Sequence, residues 1–227
     1  MPTLITSYFA ASPVAGDTST LSTPSFTPSA GEVIVVKAAT WDTSVTSGTP
    51  SGGSQTYTRY ATGPTTGFFC YSTIFAATVT GSPGSMSVTL SAPSATSYHS
   101  MTVERWSSAQ LAATPATNSV ISGNGVASTT ITTTAANSVI TWVDTDDRSN
   151  TTVGRAYLSG ATEDGLADGS GSTNSVHYYA YQSAATAGSQ TMGMSTPNNQ
   201  IWSIIGIEIL DMQVITNVPA TVWLLSA

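Results

Sequence analysis

Acidic residues supply the spacing that most suggests chemistry in this chain. Asp144, Asp146 and Asp147 form a run of spaced carboxylates that could hold Ca²⁺, and Glu163 and Asp168 follow on the same polar segment. The EF-hand pattern is absent, and Asp-rich segments cap turns more commonly than they bind metal. We therefore keep Asp144, Asp146 and Asp147 as a weak calcium candidate and predict that no metal is bound.

Two glutamates and two histidines are the remaining candidates for acid–base chemistry. Glu104 and Glu208 could form the carboxylate pair that glycoside hydrolysis needs, but they occupy matching places in a repeated pattern, which favours a structural role for both. His99 and His177 lack a recognisable nucleophile motif nearby and a second histidine at metal-ligand spacing. We predict a protein that is not an enzyme, with no catalytic residues and no cofactor.

The strands that must position these residues occur twice. Pro93 and Pro197 each precede a strand-like run of β-branched and large apolar residues, and each run contains a glutamate, Glu104 or Glu208. The second run, residues 201–210, is the most apolar of the chain. Such a repeated pattern is typical of a tandem duplication.

Further matches lie upstream and keep the same order along the chain. They are residues 21–26 with 126–131, residues 30–37 with 136–143, and residues 67–77 with 175–185. We predict that the two halves superpose, with residues 32–39 over 138–143 and residues 101–106 over 205–210.

The pattern of short strands between turn residues, without a convincing helix, predicts an all-β fold. We expect an internally duplicated antiparallel β-sandwich or jelly-roll-like fold. Its parts are a first sandwich repeat in residues 1–106, a second in residues 107–211 and an extended C-terminal arm in residues 212–227. One larger jelly roll is the alternative. We favour two packed units because doubly apolar strands, such as residues 33–36, could be covered where the units meet.

Composition narrows the functional class. Charged residues make up 7% of the 227 residues, against ~25% in ordinary soluble domains, and serine and threonine dominate the polar positions. A net charge of −7 with five basic residues leaves little to neutralise phosphates, so nucleic-acid binding is not expected. The weakly self-repelling surface suits a protein that packs into an assembly. The alternative is that Ser/Thr-rich β-sandwiches have this composition in general.

The N-terminus and the cysteine content bear on location. Residues 1–13 have neither a basic segment nor a continuous apolar segment, and no window approaches the ~20 apolar residues of a membrane span. We therefore expect a protein without a signal peptide and with no membrane partner. Cys70 is the one cysteine, so an intramolecular disulfide is impossible, and its aromatic surroundings favour a buried small hydrophobe.

Three segments together resemble a known family. They are AGEVIVVKAATWD at residues 30–42, SVITWVDTDD at residues 138–147, and a closing pattern in which SQT at residues 189–191 precedes a W-S-apolar-E-apolar strand. The chain is similar, over about residues 18–210, to Ser/Thr/Gly-rich β-sandwich virion proteins of tailed actinobacterial bacteriophages. That resemblance implies a head decoration or minor tail component with a jelly-roll-like fold, no cofactor and no enzymatic residues.

We therefore expect a virion structural protein that is made in the host cytoplasm without a signal peptide. Specifically, we expect a capsid decoration protein that binds the major capsid protein or other virion subunits as a homo-oligomer. The alternative is a carbohydrate-binding, receptor-binding module of the tail. Its sugar-stacking side chains would come from the exposed aromatics. The candidates are Trp41, Tyr57, Tyr60, Tyr178, Tyr179 and Tyr181.

The C-terminal segment is unusually apolar for a chain end, because free termini are normally polar. Pro219 divides it into two extended pieces, each able to add to a sheet edge or to fill a groove. We predict an arm that docks on a neighbouring subunit or the capsid, with Trp223 as anchor; packing back on its own sandwich is the alternative. The predicted partner-binding residues are Val214, Ile215, Val218, Val222, Trp223, Leu224 and Leu225.

Overall fold

The computed structural model describes most of the chain. The described residues are 1–12, 20–41, 48–63, 71–91, 98–112, 114, 117–122, 125–147, 154–169, 175–198 and 200–212. They contain sixteen β-strands and no helix, and every strand pair is antiparallel. The predicted all-β antiparallel fold is confirmed. Within these residues no helix is long and apolar enough to cross a membrane.

The first half of the chain forms one large sheet and a small covering layer. In spatial order the large sheet contains β1 (Thr3–Ala11), β7 (Tyr98–Ser107), β3 (Val33–Trp41), β5 (Tyr71–Thr78) and β4 (Thr58–Thr62). The covering layer contains β2 (Leu21–Ser22) and β6 (Thr89–Leu90) and is extended by a bridge between Phe26 and Met86. Apolar side chains, including Ile34, Val36 and Phe75, fill the space between them.

The second half repeats this plan. Its large sheet contains β13 (Thr162–Asp168), β14 (Ser175–Ala184), β11 (Ser138–Asp147) and β16 (Ile201–Asp211), with β8 (Ala109–Gln110) and β9 (Thr117–Ser122) on the outer edge of β16. Its covering sheet contains β10 (Ser128–Thr133), β15 (Gly188–Thr196) and β12 (Ala156–Tyr157). Ile140, Trp142 and Tyr178 lie in the core between these layers.

The two large sheets pack against one another and enclose a third, central core. It contains Val33, Val35, Ala39, Ile74, Ala76, Trp106, Ala109, Val139, Val143, Tyr179, Ile205, Ile207 and Ile209. Each central strand is therefore covered on both faces, as the doubly apolar run at residues 33–36 requires, and those four residues are fully buried. Among the described residues, no strand pair joins the two halves, so side chains alone connect them.

The large sheets share one strand order. β7, β3, β5 and β4 in the first sheet correspond to β16, β11, β14 and β13 in the second. In the packed pair β3 lies against β11, β1 against β13, and β4 against β9. The two large sheets are therefore related by a two-fold axis that runs parallel to their strands. This is the arrangement that a duplication would produce, although a common origin of the halves stays a prediction.

One predicted equivalence is wrong. Ile34 pairs with Arg105, whereas the corresponding Ile140 pairs with Glu208. Arg105 is therefore the counterpart of Glu208, and Glu104 faces the opposite side of its sheet. A shift of one residue reverses the face because side chains alternate along a strand.

The polar segment that contains Asp144–Asp147, Glu163 and Asp168 includes three strands. β11 continues to Asp147, and β12 and β13 lie within the segment. Asp144, Asp146 and Asp147 are buried strand residues. Their polarity suggested a loop, but the two covering layers on β11 decide the conformation.

Replacing Ile205 or Ile207 by alanine tests the central core. Both side chains are fully buried between the large sheets, so each change should lower the free energy of unfolding by about 2–5 kcal/mol through lost burial and a residual cavity. Ile5→Ala is the matched control, because Ile5 is 44% exposed. Denaturant titration gives the comparison, and equal losses at all three positions would contradict the central core.

Candidate functional site

The most unusual chemistry in the described structure is a lysine buried between the two large sheets. The Lys37 ammonium, on β3, donates hydrogen bonds to Glu104 Oε1 at 2.7 Å and to the two carboxyl oxygens of Asp164 at 2.8 and 3.0 Å. It also donates to the Ala180 carbonyl at 3.2 Å. The Lys37 and Glu104 side chains have no exposed surface, and that of Asp164 is 2% exposed. We call Lys37, Glu104 and Asp164 the buried triad.

Glu104 is held in place from both sheets. The Thr141 hydroxyl on β11 donates to both of its oxygens at 2.8 and 2.9 Å, and the Trp106 indole nitrogen donates to Oε2 at 2.9 Å. With Lys37 on Oε1, both oxygens are satisfied. Such saturation is what a buried carboxylate needs, because an unpaired charge away from water is very unfavourable.

Asp164 reaches the triad because its strand is irregular. Glu163 pairs with Ala180 and Gly165 with Tyr179, so Asp164 is an extra residue in a β-bulge of β13. Bulges redirect a side chain and are common beside functional sites. Gly165 makes the approach possible, since a Cβ there would lie 2.5 Å from Thr102 Oγ1 and 2.9 Å from the Phe9 ring.

The protonation of the triad follows from its burial. Burial raises the pKa of Asp164 to about 8, because removal from water opposes its charged form more strongly than Lys37 favours it, and Glu104 adds to the rise. Burial alone lowers the pKa of Lys37, but the neighbouring carboxylates outweigh it and the pKa is raised. Near neutral pH the triad therefore holds a charged Lys37 beside a protonated Asp164 carboxyl group.

The opposite side of the two-fold axis has no such cluster. The residues that correspond to the triad are Val143, Ile207 and Tyr60, which lies in a similar bulge of β4. All three pack in the central core. One of two related positions thus carries three ionisable groups where the other is apolar, so the fold does not require the charges.

A second polar cluster lies along the same interface. Ser100 Oγ is 2.6 Å from both His177 Nδ1 and the Tyr179 hydroxyl, and all three side chains are fully buried or nearly so. Burial, with His99 as a further cause, lowers the pKa of His177 to about 3. A serine beside a histidine suggests a nucleophile, but this pair has no exposed surface for a substrate. It joins the two sheets, as Ser72 does at 2.7 Å from Thr145 Oγ1.

The predicted calcium candidates do not converge. The Asp147 side chain accepts a hydrogen bond from the Trp41 indole of the first sheet, so it faces the central interface, whereas Asp144 and Asp146 face the covering sheet because side chains alternate. The Asp144 carboxyl oxygens have no hydrogen-bond partner among the described residues, and burial raises its pKa well above the usual range. Burial that opposes the charged form of a carboxyl group also opposes calcium binding, because the metal needs the deprotonated ligand. No cluster of three acidic, histidine or cysteine residues suited to a metal occurs in the described ranges.

Glu208 has the structural role predicted for it. Its oxygens accept hydrogen bonds from the Thr134 and Ala135 amides and the Thr134 hydroxyl, and so hold the turn between β10 and β11. Arg105 does the corresponding work in the first half, binding Glu32 and the Thr27 carbonyl. For Glu104 the prediction missed a contact with a lysine and an aspartate.

Most aromatic residues proposed for sugar binding are not available. Tyr57, Tyr178 and Tyr179 are buried, and Tyr60 and Tyr181 are half-buried against the central core. Cys70 and the seven predicted partner-binding residues, Val214, Ile215, Val218, Val222, Trp223, Leu224 and Leu225, lie outside the described residues.

Sequence reasoning did not single out Lys37 or Asp164. One signal was present, because Lys37 interrupts the apolar run of β3 at an inward-facing position and a buried lysine requires an acidic partner. Nothing local identified that partner, which is 127 residues away. The bulge that directs Asp164 inward depends on pairing with β14.

Metal removal should have no effect on stability. Because the three aspartates face different sides of β11, a chelator should leave the melting temperature unchanged, as should excess Ca²⁺. A calcium ion at 100 times its dissociation constant would contribute about 2.7 kcal/mol. A drop of several degrees on adding chelator would show that a metal is bound.

The low pKa of His177 predicts how its contribution to the free energy of unfolding changes with pH. Above pH 6.5 the imidazole is neutral in both states; as the pH falls toward 3, the unfolded chain takes up a proton that the folded protein does not. Stability is therefore lost in that window. His177→Asn should flatten this part of the curve of unfolding free energy against pH, measured by denaturant titration. Parallel curves for the two proteins would contradict the assignment.

Comparisons with known proteins add no identification. No protein-family model, curated protein or solved structure matches the chain. The resemblance to phage virion proteins stays a prediction, and the functional argument depends on the fold and the chemistry described above.

Proposed function

We propose that the protein is a non-enzymatic structural component of a bacteriophage particle, and specifically an accessory protein that decorates the head shell. It binds the major capsid protein or another virion subunit through complementary surfaces and acts as a homo-oligomer. Its ionisable clusters serve to join its own sheets, since the triad and the Ser100–His177 pair are closed to solvent.

The observation that carries this proposal is where the few charges lie. Lys37 is buried in the triad, Arg105 is paired with Glu32 at 2.9 Å, and Arg155 is paired with Glu163 at 2.5 Å. Three of the five basic residues are thus occupied within the protein, and serine and threonine supply most of the polar surface. Such a surface can be covered by another subunit without the large desolvation penalty of burying unpaired charges.

A candidate attachment region lies at the end of the sandwich where β16 finishes. The exposed apolar residues Met1, Ile5 and Met212 lie there, at 55, 44 and 39% exposure. Ile5 and Met212 line a cavity of about 440 Å³ together with Ser29, Ala30, Gly31, Glu32, Ser107 and Ser108. The carboxylate of Glu32 is already bound by Arg105, so the cavity offers apolar and neutral polar contacts for a partner.

The apolar C-terminal segment continues from this region. We propose that it is an arm that docks on the neighbouring subunit, with Trp223 as the anchor, because buried aromatic side chains dominate such contacts. The pairing of β16, the last described strand, does not depend on this arm. β16 pairs with β8 up to Asp211, whose carboxylate contacts the N-terminal amine at 2.7 Å. The carbohydrate-binding alternative is favoured by no described feature, since most of its aromatic residues are buried.

The test is to locate the protein in purified particles by cryo-electron microscopy and to repeat the assembly with a chain lacking residues 212–227. We expect regularly repeated density of the two-sheet sandwich on the head, and loss of that density with the truncated chain. The truncated chain should keep its cooperative thermal transition. Thr130→Ala, at an exposed position of β10, is the control for assembly.

Three outcomes would contradict the proposal. Density confined to the tail tip would assign the protein to the alternative location. Undiminished occupancy after truncation would remove the role of the arm, and unfolding of the truncated chain would show that residues 212–227 complete the fold.

A further inference from the structure

We propose that the side chains of Lys37 and Asp164 condense to an intramolecular amide bond, with Glu104 as the proton acceptor. This bond would cross-link the two large sheets. The proposal assigns a self-modification site and does not depend on a role in a virion. It rests first on the placement of the three side chains, which belong to β3, β7 and β13.

The reacting groups are already in hydrogen-bond contact. The Lys37 nitrogen is 2.8 and 3.0 Å from the two Asp164 oxygens, so it lies close to both oxygens rather than beside a single one. For the attack, the nitrogen must move over the face of the carboxyl group. Well-oriented groups in one molecule react with effective concentrations of about 10⁵–10⁸ M, so folding can drive a condensation that is unfavourable between free molecules in water.

The surroundings suit this reaction. The Tyr179 ring lies 5.9 Å from the Lys37 nitrogen, and Phe9 and Trp106 lie beside the neighbouring groups. An apolar, water-poor site keeps Asp164 protonated, as its raised pKa requires, and a protonated carboxyl group accepts a nucleophile far more readily than a carboxylate. Exclusion of water also protects the product from hydrolysis.

The protons and atoms balance within the triad. The Lys37 ammonium gives one proton to Glu104 Oε1 across 2.7 Å. The raised pKa of Lys37 opposes this step, and the removal of both charges from a site of low dielectric constant favours it. The neutral amine then attacks the Asp164 carboxyl carbon, a C–N bond forms, and the C–OH bond breaks. The hydroxyl group leaves as water with the second amine proton. One ammonium, one carboxylate and one carboxylic acid thus yield one amide, one protonated Glu104 and one water molecule, and no further reactant is needed.

The related position across the two-fold axis supports a specific role. Val143, Ile207 and Tyr60 fill it without any charge, so an apolar core is a workable solution in this fold. Retention of a lysine, an acid and a base in mutual contact is then better explained by chemistry among them than by packing.

The intact mass of the folded, full-length protein tests the proposal. After purification and denaturation, its mass should be lower than the sequence mass by one water molecule. The chain has five lysine and arginine residues, so its tryptic map is simple. An amide at Lys37 blocks cleavage there and should join the peptide of residues 1–59 to that of residues 156–227 as one branched product.

Substitutions separate this bond from another route to water loss. Asp164 precedes Gly165, and an Asp-Gly pair can cyclise to a succinimide without any lysine. Lys37→Arg and Asp164→Ala should each have the full mass of their own sequence, and Glu104→Gln should accumulate the unjoined chain. Glu208→Gln is the matched control, because Glu208 is a buried glutamate that contacts no lysine, and it should lose water like the parent.

A parent protein that keeps its full sequence mass after prolonged incubation in the folded state would overturn the proposal. So would a water loss that persists in Lys37→Arg without the branched peptide, which would identify a succinimide. If a variant does not fold, the peptide map of the parent protein still decides.

Discussion

The structure depends on covering both faces of its central strands. β3 and β11 carry large apolar side chains on both faces. If either face were left uncovered, a row of these side chains would be exposed to water. A small layer covers the outer face of each large sheet, and the sheets cover one another. The central core between the sheets, with Ile205, Ile207 and Trp106, follows from that requirement.

Because no backbone ladder joins the halves in the described residues, polar side chains determine how the sheets are aligned. A hydrophobic interface alone is nondirectional. Here Thr141 contacts Glu104, Ser72 contacts Thr145, and Ser100 contacts His177. Each buried polar group that lost its partner would destabilise the fold, so the alignment in which they all pair is strongly preferred.

The two halves use one strand order for different purposes. One side of the axis holds Lys37, Glu104 and Asp164, and the other holds apolar side chains. Burying ions usually contributes little to stability compared with packed hydrophobic residues. The cross-link that we propose would suit the structural role that we propose, because a covalent bond between the large sheets resists their separation.

The amino-acid sequence by itself determined the fold class, the repeated strand pattern and the need for cover on both faces of residues 33–36, because these follow from local periodicity and composition. It also indicated a structural role for Glu208, although the turn that Glu208 holds is 74 residues away in the sequence. Only the tertiary structure decided that Glu104 faces the central interface, that Asp144–Asp147 continue a buried strand, and that Asp164 meets Lys37. The face of a strand residue changes with a single step of register, and a bulge can redirect it. Both depend on pairing between segments far apart in the chain, which no local pattern records.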